Sequence, residues 1–152
     1  MIDKLLLKRS INSVLSEVGF LRKGSCWYLA SPDVIALIAL RKSDHGAYYY
    51  LDCGFSLKAI SDVQQPKINH CHIQFNLNSL AADDSQIFIT GLDLGLAKET
   101  DIGNLVALIK ERCLPQVVEM SSVRGLRRRY LADGLKGALL FWEARKLLET
   151  VD

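Results

Sequence analysis

The eleven residues His70-Cys71-His72-Ile73-Gln74-Phe75-Asn76-Leu77-Asn78-Ser79-Leu80 hold the clearest pattern in the chain. Cys71, Ile73, Phe75 and Leu77 alternate with His70, His72, Gln74, Asn76 and Asn78. A period of two sends successive side chains to opposite faces of a strand. The segment therefore predicts a strand over 70–78 with one packed and one polar face. That polar face carries amides and imidazoles where a merely solvated face more often carries Lys or Glu, which makes it the first candidate for a binding surface.

Upstream of it the chain reads as a helix followed by a meander. Leu7, Ile11, Val14, Leu15 and Val18 recur at helical spacing over residues 3–18. Gly19 suits a left-handed stop, and Phe20 is placed to fold back on the apolar face. Cys26–Ala30 predicts a short strand, and Ser31-Pro32-Asp33 supplies turn chemistry. Val34–Arg41 is an almost unbroken apolar run, the mark of a strand covered on both faces. Ser43-Asp44-His45-Gly46 makes the next turn, and Ala47–Leu57 predicts a long aromatic strand. Residues 59–68, with Pro66, read as a polar loop.

Downstream, Gln86–Thr90 reads as a short fifth strand, flanked by loop around Gly91 and Gly95. Thr100 or Asp101 is placed to cap a helix running to about Arg112, and Pro115 must kink or end it, because it has no N–H to donate. Ser121 or Ser122 caps a further helix that ends near Asp133-Gly134, and a last helix is expected from Leu135 to Glu149. Helix, meander, then helices is an α+β order. It predicts one domain over residues 1–152 with an antiparallel sheet of four or five strands. The N-terminal helix and the C-terminal helices are expected mainly on one face, leaving the other partly open.

Net charge is +2 from 19 basic and 17 acidic residues, with ten of each sign in residues 1–100. That balance does not support a globally basic nucleic-acid binder. No apolar run approaches the ~20 residues that span a bilayer, and the N-terminus has no signal-peptide pattern. Cys26, Cys53, Cys71 and Cys113 have no C-x-x-C spacing, so they read as buried free thiols in a reducing cytoplasm. No cofactor or metal is expected.

Five sets of residues could carry chemistry. His70 and His72, at i and i+2 on a strand, would point the same way, but two imidazoles lack the third ligand that a catalytic zinc needs. Gln74 and Asn76 continue that face. Tyr48 and Tyr50 would flank Asp52 on the neighbouring strand, and tyrosine gives contact area at low entropy cost. Arg124 and Arg127-Arg128-Arg129 give the stretch to Lys136 a charge of +4, although consecutive residues spread around a helix rather than forming a stripe. Trp27 and Trp142 read as core. No phosphate loop, GxSxG, HExxH or GxGxxG occurs. Cys71 beside His70 and His72 has the wrong geometry for a nucleophile and base, because neighbours on a strand face opposite sides.

The stretch Leu15-Ser16-Glu17-Val18-Gly19-Phe20-Leu21-Arg22-Lys23-Gly24-Ser25-Cys26-Trp27-Tyr28 resembles an uncharacterised bacterial family, the domain-of-unknown-function family 4304. The resemblance continues through Val34-Ile35-Ala36-Leu37-Ile38-Ala39-Leu40-Arg41-Lys42-Ser43 and Cys71-His72-Ile73. It covers roughly residues 5–80 and implies a fold, not an activity.

Two functions follow as expectations. The first is a small cytoplasmic protein-binding module of the immunity or antitoxin type, which binds a toxin partner through Tyr48, Tyr50, His70, His72, Gln74 and Asn76, with Arg127 and Arg128 as further contacts. The alternative is an enzyme on an anionic small molecule, with His72 and Asp52 as an acid–base pair and Arg41 or Arg127 holding the anion.

Overall fold

The computed structural model describes residues 2–150. It is an α+β fold with an N-terminal helix, C-terminal helices and one antiparallel sheet of six strands in sequential order. The strands are β1 (Leu21–Lys23), β2 (Cys26–Ala30), β3 (Val34–Lys42), β4 (Tyr49–Leu57), β5 (Ile73–Asn76) and β6 (Leu139–Leu140). The helices are α1 (Lys4–Leu15), α2 (Ser85–Gly91), α3 (Glu99–Leu108), α4 (Leu114–Glu119), α5 (Val123–Asp133) and α6 (Trp142–Glu149).

The sheet exceeds the expected four or five strands because β1 and β6 are too short to show a period. Gln86–Thr90 is not a strand: it lies inside α2. Helix α2 packs against α3, and a Cβ on Gly91 would come within 2.9 Å of the Leu105 Cβ. The expected strand over 70–78 is shorter than its alternation. Ile68–His70 is a 3₁₀ turn, only Ile73–Asn76 is extended, and Leu77–Asp84 is 3₁₀ again. Leu77 and Leu80 are buried three residues apart, the spacing that eclipses on a 3₁₀ helix.

The helix ends follow capping chemistry. Asp3 caps α1 by accepting the Leu6 N–H (2.8 Å), and Gly19 closes the following turn with φ 102°. Phe20 folds back as expected and is buried. Val18, expected inward, is exposed. Helix α3 starts at Glu99: Lys98 is the cap, and the Asp101 carboxylate accepts the Lys98 N–H (2.8 Å). Pro115 does not end the helix. Ile109–Cys113 widens into a π turn, and the chain re-enters the α form at Leu114. A wider turn accommodates a residue with no N–H to donate. Ser122 caps α5 and Gly134 ends it at φ 70°. The expected helix from Leu135 begins only at Trp142, because Gly134, Leu135 and Gly137 all take positive φ and Leu139–Leu140 joins the sheet beside β5.

Antiparallel pairing of Val34–Lys42 with Tyr49–Leu57 forms the centre of the sheet. Val34, Ala36, Ile38 and Leu40 face one way with Leu51, Cys53, Phe55 and Leu57, and join one core cluster with Leu7 and Ile11 of α1, Ile102 and Leu105 of α3, and Val117 of α4. Ile35, Leu37 and Ala39 face the other way and are also buried. The chain between β4 and β5 covers them. Ile68 and Cys71 sit over Gly54, and the Tyr28 hydroxyl donates to the Pro66 carbonyl (3.1 Å). The second face is therefore open only towards the Arg41 end of β3. Trp27 is buried, with its indole N–H on Asn12 Oδ1 (3.0 Å). Trp142, expected in the core, is 65% exposed beside Lys146.

A Cβ on Gly54 would meet Cys71 Sγ at 2.8 Å and Cys71 Cβ at 2.9 Å. Gly54→Ala should lower stability by about 1–3 kcal/mol through overpacking, read from the urea midpoint at unchanged m. Gly103→Ala, in α3 with open space around the added Cβ, should instead stabilise by about 0.5–1 kcal/mol.

Candidate functional site

The ladder fixes which residues meet at the open end. Arg41 pairs with Tyr50, Ala39 with Asp52, and Asp52 with Asn76. Arg41, Tyr50, Asp52, Gln74 and Asn76 therefore project from the same face. Arg41 forks onto Asp52 (Nε–Oδ2 2.8 Å, Nη2–Oδ1 3.3 Å) and lies 4.4 Å above the Tyr50 ring. Tyr48 meets the Tyr50 ring edge-on at 5.6 Å. The Ser43 hydroxyl and then the Tyr50 hydroxyl hold the Tyr48 phenol below its usual pKa.

Two depressions flank this ridge and share Asn76. The first is a cleft of about 370 Å³. Its floor is apolar, with Leu51, Phe88 and Leu92, and its rim carries Tyr48, Tyr50, Asn76, Asn78, Ile89 and Asp93. The second is a more open concavity of about 450 Å³ bordered by Arg41, Asp52, Asn69, Gln74 and Leu139. Binding sites for small groups are typically apolar clefts of about 300–1,000 Å³ with a few placed polar groups, and the first depression has that make-up. Its α2 wall is held from behind. Arg112 in the π turn pairs with Asp83 (2.9 Å) and Asp84, and Gln116 donates to the Leu80 carbonyl (2.8 Å).

The two histidines do not share this surface. His70 ends the 3₁₀ turn and is exposed. His72 is 4% exposed and serves the sheet. Its Nδ1 accepts the Leu57 N–H (2.9 Å), its own N–H donates to the Phe55 carbonyl (3.0 Å), and its carbonyl accepts the Phe141 N–H (2.8 Å). Asp52 lies three residues before Phe55 on β4, roughly 10 Å away at the rise of a strand. The expected His72–Asp52 pair is therefore not assembled: each partner is already engaged, His72 by Leu57 and Asp52 by Arg41.

The arginine cluster lies on α5, where Arg124 is exposed and the other three are engaged within the fold. Arg129 bonds Asp133 (2.8 Å) and Gln116 (3.0 Å), Arg128 reaches Glu119 at 3.6 Å, and Arg127 donates to the Leu147 carbonyl (3.4 Å). All four cysteines are free thiols, three of them buried. Burial pushes Cys71 and Cys113 up to about 12 and Cys53 well above its usual range. Among the described residues, no group of three or more His, Cys, Asp or Glu is placed to hold a metal ion, and no helix is long and apolar enough to cross a membrane.

The family model described as "Domain of unknown function (DUF4304)" matches residues 11–117. The chain belongs to this family. The DUF4304 match runs from within α1 to within α4 and so contains every wall of the cleft, whereas Arg127, Arg128 and Trp142 lie beyond it. No curated protein and no solved structure matches the chain.

Of this surface, Tyr48, Tyr50, Gln74 and Asn76 were expected from the sequence, whereas Phe88, Ile89, Leu92 and Asp93 were not. Their signal was the apolar stretch Ile87-Phe88-Ile89, whose strand propensity hid a short helix.

Burial lowers the His72 pKa, with Glu143 opposing more weakly. The unfolded chain therefore binds a proton at this site before the folded chain does. The contribution of His72 to stability should be constant above the ordinary imidazole value of 6.5 and should fall as pH drops from there towards the depressed folded pKa. His72→Asn, which retains an acceptor for the Leu57 N–H, should be less stable at pH 7.5 by about 1 kcal/mol or more. It should also lose most of the decline between about pH 6.5 and pH 5. Urea midpoints of both proteins across that range check this.

Proposed function

We propose that this chain is a small protein-binding module of the immunity or antitoxin type, and that it recognises a toxin partner through the cleft between Tyr48, Asn76 and α2. The observation that carries this reading is the composition of the cleft: half-buried Tyr48, Tyr50 and Asn78 and the exposed Asn76 rim an apolar floor. Tyrosine is favoured at the anchor points of protein interfaces. Asn and Gln side chains offer both a donor and an acceptor to a partner's backbone. The neighbouring Arg41–Asp52 pair cancels its own charge, so the ridge imposes no strong field. Free, mostly buried thiols support a reducing, cytoplasmic setting.

A photo-crosslinking benzoylphenylalanine installed at position 48 in the native cell should trap one discrete protein. The same probe at Leu131, exposed on α5, should not trap it. The trapped protein, expressed alone, should arrest growth. The wild-type chain should relieve the arrest, and Tyr48→Ala with Asn76→Ala should bind it at least about thirtyfold more weakly, the scale of one interface hot spot. Identical adducts from positions 48 and 131, or full relief by the doubly substituted chain, would contradict the proposal.

A further inference from the structure

Tyr48 and Asp93 form an isolated antiparallel bridge. Leu94 N–H donates to the Ala47 carbonyl (2.8 Å) and Tyr49 N–H to the Leu92 carbonyl (2.9 Å), so the two segments are fixed against each other. Directly opposed residues of an antiparallel pair project to the same side, with Cβ atoms about 4.5–5.5 Å apart. A phenol ring and a carboxylate thus stand side by side on the cleft wall.

Asp93 is half-buried. Its Oδ1 accepts the Gly95 N–H (3.0 Å). No Lys, Arg or His among the described residues forms an ion pair with it. Asp93 is the one charged residue that lines the cleft; beside it Arg41 and Asp52 neutralise each other, and Lys4 Nζ lies 5.8 Å from the Tyr49 ring. The cleft is therefore apolar at its floor, and the one charge on its lining is the Asp93 carboxylate at its rim. A cation placed there gains from the carboxylate at reduced dielectric and from the quadrupole of the adjacent ring. Its hydrocarbon stem gains from the apolar wall.

We infer that the segment filling this cleft carries a lysine or arginine next to a large apolar side chain. The apolar side chain occupies the floor at Leu51, Phe88 and Leu92. The cation pairs with Asp93 beside Tyr48. The inference rests on the protein-binding reading of the cleft and adds to it the chemistry of the partner.

The test is selection of random twelve-residue peptides displayed on phage against the wild-type protein, Asp93→Asn and Tyr48→Ala. Asn at position 93 keeps an oxygen for the Gly95 N–H, so the fold is retained, and an unchanged melting temperature verifies it. Peptides enriched on the wild type should carry Lys or Arg within two residues of an aromatic or large aliphatic residue. They should bind Asp93→Asn about tenfold or more weakly. Raising salt should weaken wild-type binding and leave the residual Asp93→Asn binding almost unchanged. Peptides that need Tyr48 but lack a basic residue, or that bind Asp93→Asn equally well, would overturn the cation while leaving the protein-binding reading intact. Enrichment of no peptide that depends on Tyr48 would overturn both.

Discussion

Val34–Lys42 runs antiparallel to Tyr49–Leu57 through nine paired positions, and the centre of this ladder is buried on both faces. The rest of the structure answers that constraint. Apolar side chains on two faces need two covers. Helices α1, α3 and α4 provide one. The other is the crossing between β4 and β5, which presses Ile68 and Cys71 onto Gly54 and ties down Tyr28 through Pro66. Glycine at position 54 is required because any side chain there would occupy the space of that crossing. His72 then closes the end of the ladder, its ring nitrogen taking the Leu57 N–H. The cover stops before Arg41, so the strands emerge at one end with Tyr50, Asp52 and Asn76 uncovered by it.

That end is a surface by default of the packing, and the residues there determine what it can do. Arg41 and Asp52 satisfy each other, which leaves tyrosine rings, amides and a single carboxylate around an apolar floor of Leu51 from β4 with Phe88 and Leu92 from α2 and its end. The helix is held in place by Arg112 and Gln116 reaching back to the segment before it. Fold and cleft are thus mechanically linked through the π turn that carries Arg112.

Long elements with a strong period were legible in the sequence. The apolar run Val34–Leu40 and the aromatic strand after it emerged as expected, as did the Gly19 stop, the Ser122 cap and the Gly134 end of α5. Short elements were not. Three-residue β1 and two-residue β6 carry no period, and β6 is extended only because β5 offers it an edge. Ile87-Phe88-Ile89 favours a strand locally, yet packing of α2 on α3 overrides that preference. The alternation from His70 was real only at its centre, since a 3₁₀ turn with Leu77 and Leu80 buried produces a similar apolar spacing. On the site, imidazoles and amides looked equivalent as polar strand residues. They separate because His72 supplies a ring acceptor to the sheet whereas Gln74 and Asn76 line the open face. Asp93 was invisible because its partner Tyr48 is 45 residues away in the chain and joins it by one isolated bridge.

The central claim is that the apolar floor between β4 and α2 accepts an inserted side chain. Titration of the isotopically labelled chain with N-acetyl-tryptophanamide, followed by amide and methyl chemical shifts, addresses it directly. The account requires saturable shifts clustered at residues 48–51, 76–78 and 88–93, abolished by Tyr48→Ala. Shifts confined to the exposed Trp142 and Leu139 surface or to the arginines of α5, with residues 88–93 silent, would contradict it.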